Sequence, residues 1–78
     1  MTFIWHNDFG EDLKAQAGYV TYRIYTVYGG AAAYLIVVER GGKRRLSLGH
    51  HTTIEEAKAC CEQHFVDGCD VSDAEWWK

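Results

Sequence analysis

Two diglycine pairs divide the middle of the chain into three strand-like runs, and a helix pattern follows directly. Residues 19–28 read YVTYRIYTVY, residues 33–39 read AYLIVVE, and residues 44–48 read RRLSL. The first two runs are rich in the β-branched and aromatic residues that favour strands. Gly29-Gly30 and Gly41-Gly42 separate the runs, and paired glycines supply the positive φ that tight hairpin turns need. Connections this short join antiparallel strands only.

The segment after the third run has the pattern of a single helix. Thr53 is followed three residues later by Glu56. This pair has the spacing of a capping box and predicts the helix start. Gly68 predicts its end. Apolar residues recur at helical spacing between these points, and they predict the face that packs on the sheet: Ile54, Ala57, Cys61 and Phe65, with Cys60 and His64 beside them.

Both ends of the chain extend this unit. Residues 2–6 and 12–17 are predicted strands, the first from the apolar run FIW and the second from alternating Leu13, Ala15 and Ala17. Ser72 to Glu75 forms a second, smaller capping box that would start a short helical turn carrying the C-terminal tryptophans. We therefore predict one α+β domain over residues 1–78, with an antiparallel sheet of four to five strands packed against one α-helix.

Alternation along the first long run predicts two different faces of its strand. Side chains at successive positions point to opposite sides of a sheet. One side carries Val20, Tyr22, Ile24, Thr26 and Tyr28, and the other carries Tyr19, Thr21, Arg23, Tyr25 and Val27.

Composition limits the classes of protein to which this chain can belong. Hydrophobic residues make up 47% of its 78 positions, which excludes a disordered chain. No apolar run reaches the roughly 20 residues of a membrane span. The start, MTFIWHNDFGED, lacks the basic and apolar regions of a secretory signal, and the cysteine count is odd. We expect reduced thiols, a location in the cytoplasm of a host cell, and no membrane association.

Charge is distributed unevenly along the chain. Arg40, Lys43, Arg44 and Arg45 place half of the eight Lys and Arg residues in one hairpin, whereas the net charge is −3. An acidic protein is repelled by phosphate backbones, so general nucleic-acid binding is disfavoured. Aromatic residues are also not interleaved with the cations along the sequence, as a base-stacking surface would require.

The sequence contains no motif that identifies an active site. Signatures for phosphate, dinucleotide, zinc-protease or serine-hydrolase sites are missing, so we expect no enzymatic activity, no catalytic residues and no cofactor. Cys60 and His64 are four residues apart on the helix, and His50 or His51 together with Cys69 could complete a set of four ligands. Their spacings match no usual zinc pattern, so a role in the core is favoured and no metal site is predicted.

Several segments together resemble small proteins encoded by phages and mobile elements. The segments that carry the resemblance are FIW, YRIY, YLIVVER and the strand-to-helix junction LGHHTTIEEAKACCEQHF. Small acidic members of that group without enzymatic motifs include anti-CRISPR proteins that block type I effector complexes. The resemblance implies a non-enzymatic inhibitor, acting as a monomer or weak dimer, that binds a host defence complex rather than nucleic acid.

Acidic residues and a tryptophan are the predicted contacts with such a partner. An acidic surface would complement a DNA channel lined with Lys and Arg. The predicted partner-binding residues are Asp67, Asp70, Asp73, Glu75, Trp76, Asp8, Glu11 and Asp12. The alternative is a small nucleic-acid-binding accessory or regulatory protein that would use Arg40, Lys43, Arg44 and Arg45.

Overall fold

A computed structural model describes residues 3–7 and 12–76, which form an antiparallel sheet with one helix on one face. The strands follow one another in the sheet in chain order. The predicted α+β class is confirmed, with four long strands and a two-residue strand at each edge. The elements are β1 (His6–Asn7), β2 (Leu13–Ala17), β3 (Val20–Val27), β4 (Gly30–Glu39), β5 (Gly42–His51), α1 (Ile54–Val66) and β6 (Glu75–Trp76).

The β3–β4 hairpin turns at Tyr28 and Gly29, Gly30 begins β4, and both glycines are needed. Gly29 has φ of 85°, in the region that favours glycine. A Cβ on Gly30 would lie 2.0 Å from the backbone oxygen of His51 on the neighbouring strand. The turn sequence therefore allows both the chain reversal and the close approach of β4 to β5.

Side-chain and backbone caps fix both ends of α1. The Thr53 hydroxyl accepts the Glu56 N–H at 3.1 Å, and the Glu56 carboxylate accepts the Thr52 N–H at 3.2 Å. At the other end, the N–H of Cys69 donates to His64 O at 2.9 Å and the N–H of Gly68 donates to Phe65 O at 3.2 Å. This pair of bonds is the Schellman arrangement, and the predicted roles of Thr53 and Gly68 are confirmed.

The core lies between α1 and one face of the sheet. Alternate residues of β2, β3 and β4 point towards the helix and are buried, among them Tyr22 and Leu35, each with 0% exposure. From the helix, Ala57 and Cys61 are fully buried against them. Ile54 and Phe65 pack at the margins, together with Leu46 and Leu48 of β5. The predicted division of residues 19–28 into two faces is therefore confirmed for Val20, Tyr22 and Ile24.

The N-terminal segment differs from the predicted strand over residues 2–6. Residue 2 lies outside the described residues, and within residues 3–7 only His6 and Asn7 pair with β2, opposite Lys14 and Leu13. Phe3 instead packs against the core, with its ring centroid 5.1 Å from Tyr22 and 5.5 Å from Phe65. Burying this ring contributes about 1.5–3 kcal/mol, which a further edge pairing would not supply.

The predicted C-terminal helical turn is wrong. The Asp70 carboxylate accepts the Ser72 N–H at 2.9 Å, and the Ala74 N–H donates to Val71 O at 3.0 Å, which closes a turn. Glu75 and Trp76 then pair with β5 as β6. A single helical turn is costly to nucleate, whereas the edge of β5 offers ready backbone partners.

Within the described part of the chain, no helix has the length and apolar character needed to cross a bilayer.

Candidate nucleic-acid interface

The sheet has a second face, turned away from α1, that we call the open face. It consists of the residues on β2 to β5 that alternate with the core residues. Strand register places Lys14, Arg23, Tyr34 and Ser47 opposite one another in a row across four strands. Neighbouring strands lie about 4.8 Å apart, so this row spans roughly 14 Å. Further along the strands, Tyr25, Ile36, Arg45 and Lys43 lie on the same face.

Tyr34 lies near the centre of the open face and touches side chains from both neighbouring strands. The Tyr25 ring meets it edge to face, with centroids 5.7 Å apart. The guanidinium carbon of Arg45 lies 5.9 Å from the Tyr34 centroid, at the outer limit of a cation–π contact. Arg23 is directly opposite Tyr34 on β3. Cations and aromatic rings are therefore neighbours on this surface.

A shallow cleft of about 330 Å³ opens on this face around the two tyrosines. Its lining includes Asp12, Arg23, Tyr25, Thr26, Tyr34 and Arg45. Two arginines, two tyrosines and one aspartate thus line the same depression. This chemistry suits a ligand that is both anionic and aromatic.

The four predicted basic contacts do not act as a group. Lys43 and Arg45 are exposed on the open face, and Arg40 is exposed in the β4–β5 turn. Arg44 points to the helix side, where its Nε donates to Glu39 at 3.1 Å and its Nη1 reaches the backbone oxygen of Val71 at 3.5 Å. Adjacent residues of a strand face opposite ways, so the hairpin cannot present all four cations together.

The predicted acidic contacts are also separated. Asp67 follows α1 and accepts a hydrogen bond from the Gln63 amide at 2.8 Å. Asp70 accepts the backbone N–H of Ser72, which lowers the pKa of its carboxyl below the ordinary value. Glu75 lies opposite Arg45 on the edge strand β6, and Asp12 lines the cleft.

The remaining predicted contacts are Asp73, Trp76, Asp8 and Glu11. Asp73 is exposed in the turn before β6. The backbone of Trp76 pairs with Arg44. Asp8 and Glu11 lie outside the described residues.

A second polar cluster lies on the helix side of the sheet. The Tyr22 hydroxyl is 2.9 Å from His64 Nδ1 and 3.3 Å from Cys69 Sγ, and His64 Nε2 is 3.0 Å from the backbone oxygen of Asp70. A carbonyl oxygen only accepts, so Nε2 carries the proton and Nδ1 of the neutral ring accepts from Tyr22. Cys69 then donates to the Tyr22 oxygen. Burial, more than the contact with Cys69, raises the pKa of Tyr22.

The histidines and cysteines considered as metal ligands have other contacts. His64 belongs to the tyrosine cluster, and the Cys60 thiol lies 3.5 Å from the backbone oxygen of Leu48. His51 Nε2 lies 3.0 Å from the same oxygen. Among residues 3–7 and 12–76, no three His, Cys, Asp or Glu side chains are grouped so that they could hold a metal ion.

Comparison of the chain with protein-family models, curated proteins and solved structures finds no match.

The open face contains functional candidates that the sequence pattern did not reveal. Aromatic residues and cations that are not interleaved along the sequence become neighbours in the folded chain, because Arg23, Tyr34 and Arg45 come from three adjacent strands. A signal was available in the alternation of residues 19–28, which places Arg23 and Tyr25 together on the side opposite Tyr22. Combining that alternation with the hairpin register would have added Tyr34.

Proposed function

We propose that the open face of the sheet binds nucleic acid. The observation that carries the proposal is the contact of Tyr34 with Arg45 and Tyr25 beside Arg23 on an exposed, helix-free sheet surface. Guanidinium groups bind phosphate oxygens, and aromatic rings stack on bases. Because a guanidinium group and an aromatic ring lie on neighbouring strands here, the arrangement matches the phosphate and the base of one nucleotide.

The local charge of the open face supports this proposal despite the acidic total. Lys14, Arg23, Lys43 and Arg45 lie on it, and strand register and the cleft lining place two described acidic residues there, Asp12 and Glu75. The described residues of the open face thus carry a formal charge of +2, from four cations and two carboxylates, against −3 for the whole chain. Interactions beyond about 8 Å are screened at physiological salt, so the local charge determines short-range binding.

The test is a binding titration with fluorescently labelled oligonucleotides, single-stranded and duplex, at about 50 mM salt, where phosphate contacts are strong. Replacing Arg23 and Arg45 by Gln should weaken binding and lower the slope of log K against log salt by roughly 1.4–1.8. The matched control replaces Arg40 and Lys58, which lie in a turn and on α1, and removes the same charge. We expect the control to retain most of the affinity.

Two results would contradict the proposal. One is the absence of binding to every oligonucleotide at this salt concentration. The other is an equal loss of affinity in the two double variants, which would assign binding to general charge rather than to the open face.

Inhibition of a host defence complex is a second candidate function. It is favoured by the exposure of Asp67, Asp70 and Asp73, three carboxylates within seven residues at the end of α1. Such a surface would complement the Lys- and Arg-lined DNA channel of a type I CRISPR effector complex. The resemblance to anti-CRISPR proteins points the same way and remains a prediction.

A pull-down with a purified type I effector complex tests this second function. Asp70→Asn with Asp73→Asn should reduce recovery of the complex, whereas Glu55→Gln with Glu62→Gln, which removes two helix charges, should not. Failure of the unmodified protein to bind any such complex, with interference in cells undiminished, would eliminate this candidate.

A further inference from the structure

We infer that the cleft around Tyr34 receives one unpaired base of a single-stranded nucleic acid, with guanine as the preferred base. The inference rests on the proposed function, because it assigns a ligand class to the same face. Three features of the cleft carry it: its size, its two tyrosine rings and the carboxylate of Asp12.

Size favours a single base over a base pair. The cleft volume of about 330 Å³ is at the lower end of the range of about 300–1,000 Å³ found for small-molecule sites. Bases in a duplex are stacked on their neighbours and present only their edges in the grooves. A ring in a cleft of this kind can stack only on a base that is unpaired or displaced from the duplex.

The two tyrosines provide the stacking surface. Tyr25 is 40% exposed, and its edge-to-face contact with Tyr34 at 5.7 Å holds the Tyr34 ring in place. Stacking is sequence-tolerant because every base has a π-face, so the rings alone would not select a base. Arg23 and Arg45 border the rings and are positioned to bind the phosphates on either side of the stacked base.

Asp12 provides the selectivity. A carboxylate only accepts hydrogen bonds and repels phosphate, so any ligand group that approaches the Asp12 oxygens must be a hydrogen-bond donor. Guanine presents two adjacent donors, N1–H and the N2 amino group, on its pairing edge. These match the two oxygens of one carboxylate. Adenine and cytosine each present a single amino group there, and thymine or uracil presents a single imino N–H.

The experiment measures binding of labelled hexanucleotides by fluorescence anisotropy at about 50 mM salt. Four single strands carry G, A, C or T at one central position in a thymine background, and a stem-loop hairpin presents the same G, paired with C, inside a long and stable stem. We expect the single strand with G to bind at least tenfold more tightly than this duplex stem and several-fold more tightly than the other single strands.

Substitutions at Tyr34 and Asp12 separate stacking from base selection. Tyr34→Leu should weaken single-strand binding by roughly five- to hundredfold, the range found for loss of one stacked base, while Tyr34→Phe, which keeps the ring, should change it less than threefold. Asp12→Asn should abolish the preference for G and leave binding to the thymine strand unchanged or improved. A circular dichroism melt of each variant verifies that it is folded.

The outcomes distinguish this inference from the proposed function. Duplex binding equal to single-strand binding, with Tyr34→Leu unaffected, would overturn the inference and leave nucleic-acid binding by the open face intact. Equal affinity for the four single strands would overturn the assignment of guanine. If neither single strands nor duplex bind, the proposed function fails and the inference fails with it.

Discussion

Removal of one buried hydroxyl, in Tyr22→Phe, tests the polar cluster that joins the sheet to the end of α1. Tyr22 has 0% exposure, and its hydroxyl lies 2.9 Å from His64 Nδ1 and 3.3 Å from Cys69 Sγ. The substitution leaves the ring and its packing against Phe3 in place. It removes the hydrogen-bond partner of His64 Nδ1 and of the Cys69 thiol, while the bond from His64 Nε2 to Asp70 O remains.

The expected cost follows from the burial of these groups. A net hydrogen bond contributes about 0.5–1.5 kcal/mol, and leaving a buried acceptor unsatisfied costs about 1–3 kcal/mol. His64 and Cys69 are only half-buried, so water can reach them in part. We therefore expect Tyr22→Phe to lower the free energy of unfolding by about 1.5 kcal/mol, out of a total of roughly 4–12 kcal/mol for a domain of this length. The corresponding fall in Tm is roughly 6–12 °C.

Urea unfolding followed by far-UV circular dichroism, with reductant present, measures this change. Tyr34→Phe is the matched control, because it removes a hydroxyl on the open face, and we expect a change within about 0.5 kcal/mol. In a His64→Leu background the cost of Tyr22→Phe should fall by about 1 kcal/mol, because the acceptor is already missing. A Tyr22→Phe variant as stable as the unmodified protein, or the same cost in both backgrounds, would refute this account.

Three further predictions concern the core, the helix cap and the first hairpin. Burial raises the pKa of Cys61 from 9.0 to about 12, so folding favours the protonated thiol. Stability that is present below pH 9 should be lost as the pH rises towards 12, and in urea titrations the loss should be smaller for Cys61→Ala; an identical pH dependence would contradict this. Thr53→Ala should cost about 1 kcal/mol and Thr52→Ala less than half of that, since only the Thr53 hydroxyl caps α1; equal costs in urea unfolding would remove the capping assignment. Gly29→Ala should cost about 1–2 kcal/mol through its positive φ, whereas Gly30→Ala should cost clearly more because its Cβ would meet backbone on β5; the reverse order in thermal melts would show that the hairpin is misassigned.

Local sequence patterns were sufficient for the scaffold. The hairpins over residues 19–51 follow from strand composition and glycine pairs, and the helix follows from its two caps, because each signal acts within a few residues. The buried positions of β3 follow from alternation. The ends of the chain were predicted less well, because the positions of Phe3 and of residues 72–76 depend on what they contact rather than on their own sequence.

The candidate site depended on contacts between strands. Arg23, Tyr34 and Arg45 are about eleven residues apart in sequence and become neighbours only when β3, β4 and β5 align. Asp12 belongs to a predicted acidic group but lines a cleft together with two arginines. The basic hairpin was visible in the sequence, but its cations face opposite sides of the sheet.

Strands, turns, the helix and the apolar face of the central strand are all encoded locally, because propensity, capping and alternation act over a few neighbouring residues. Which polar residues share a surface depends instead on how the strands align in the folded chain. Strand register brings distant residues within one strand spacing, and the position of α1 leaves one face of the sheet open to a ligand.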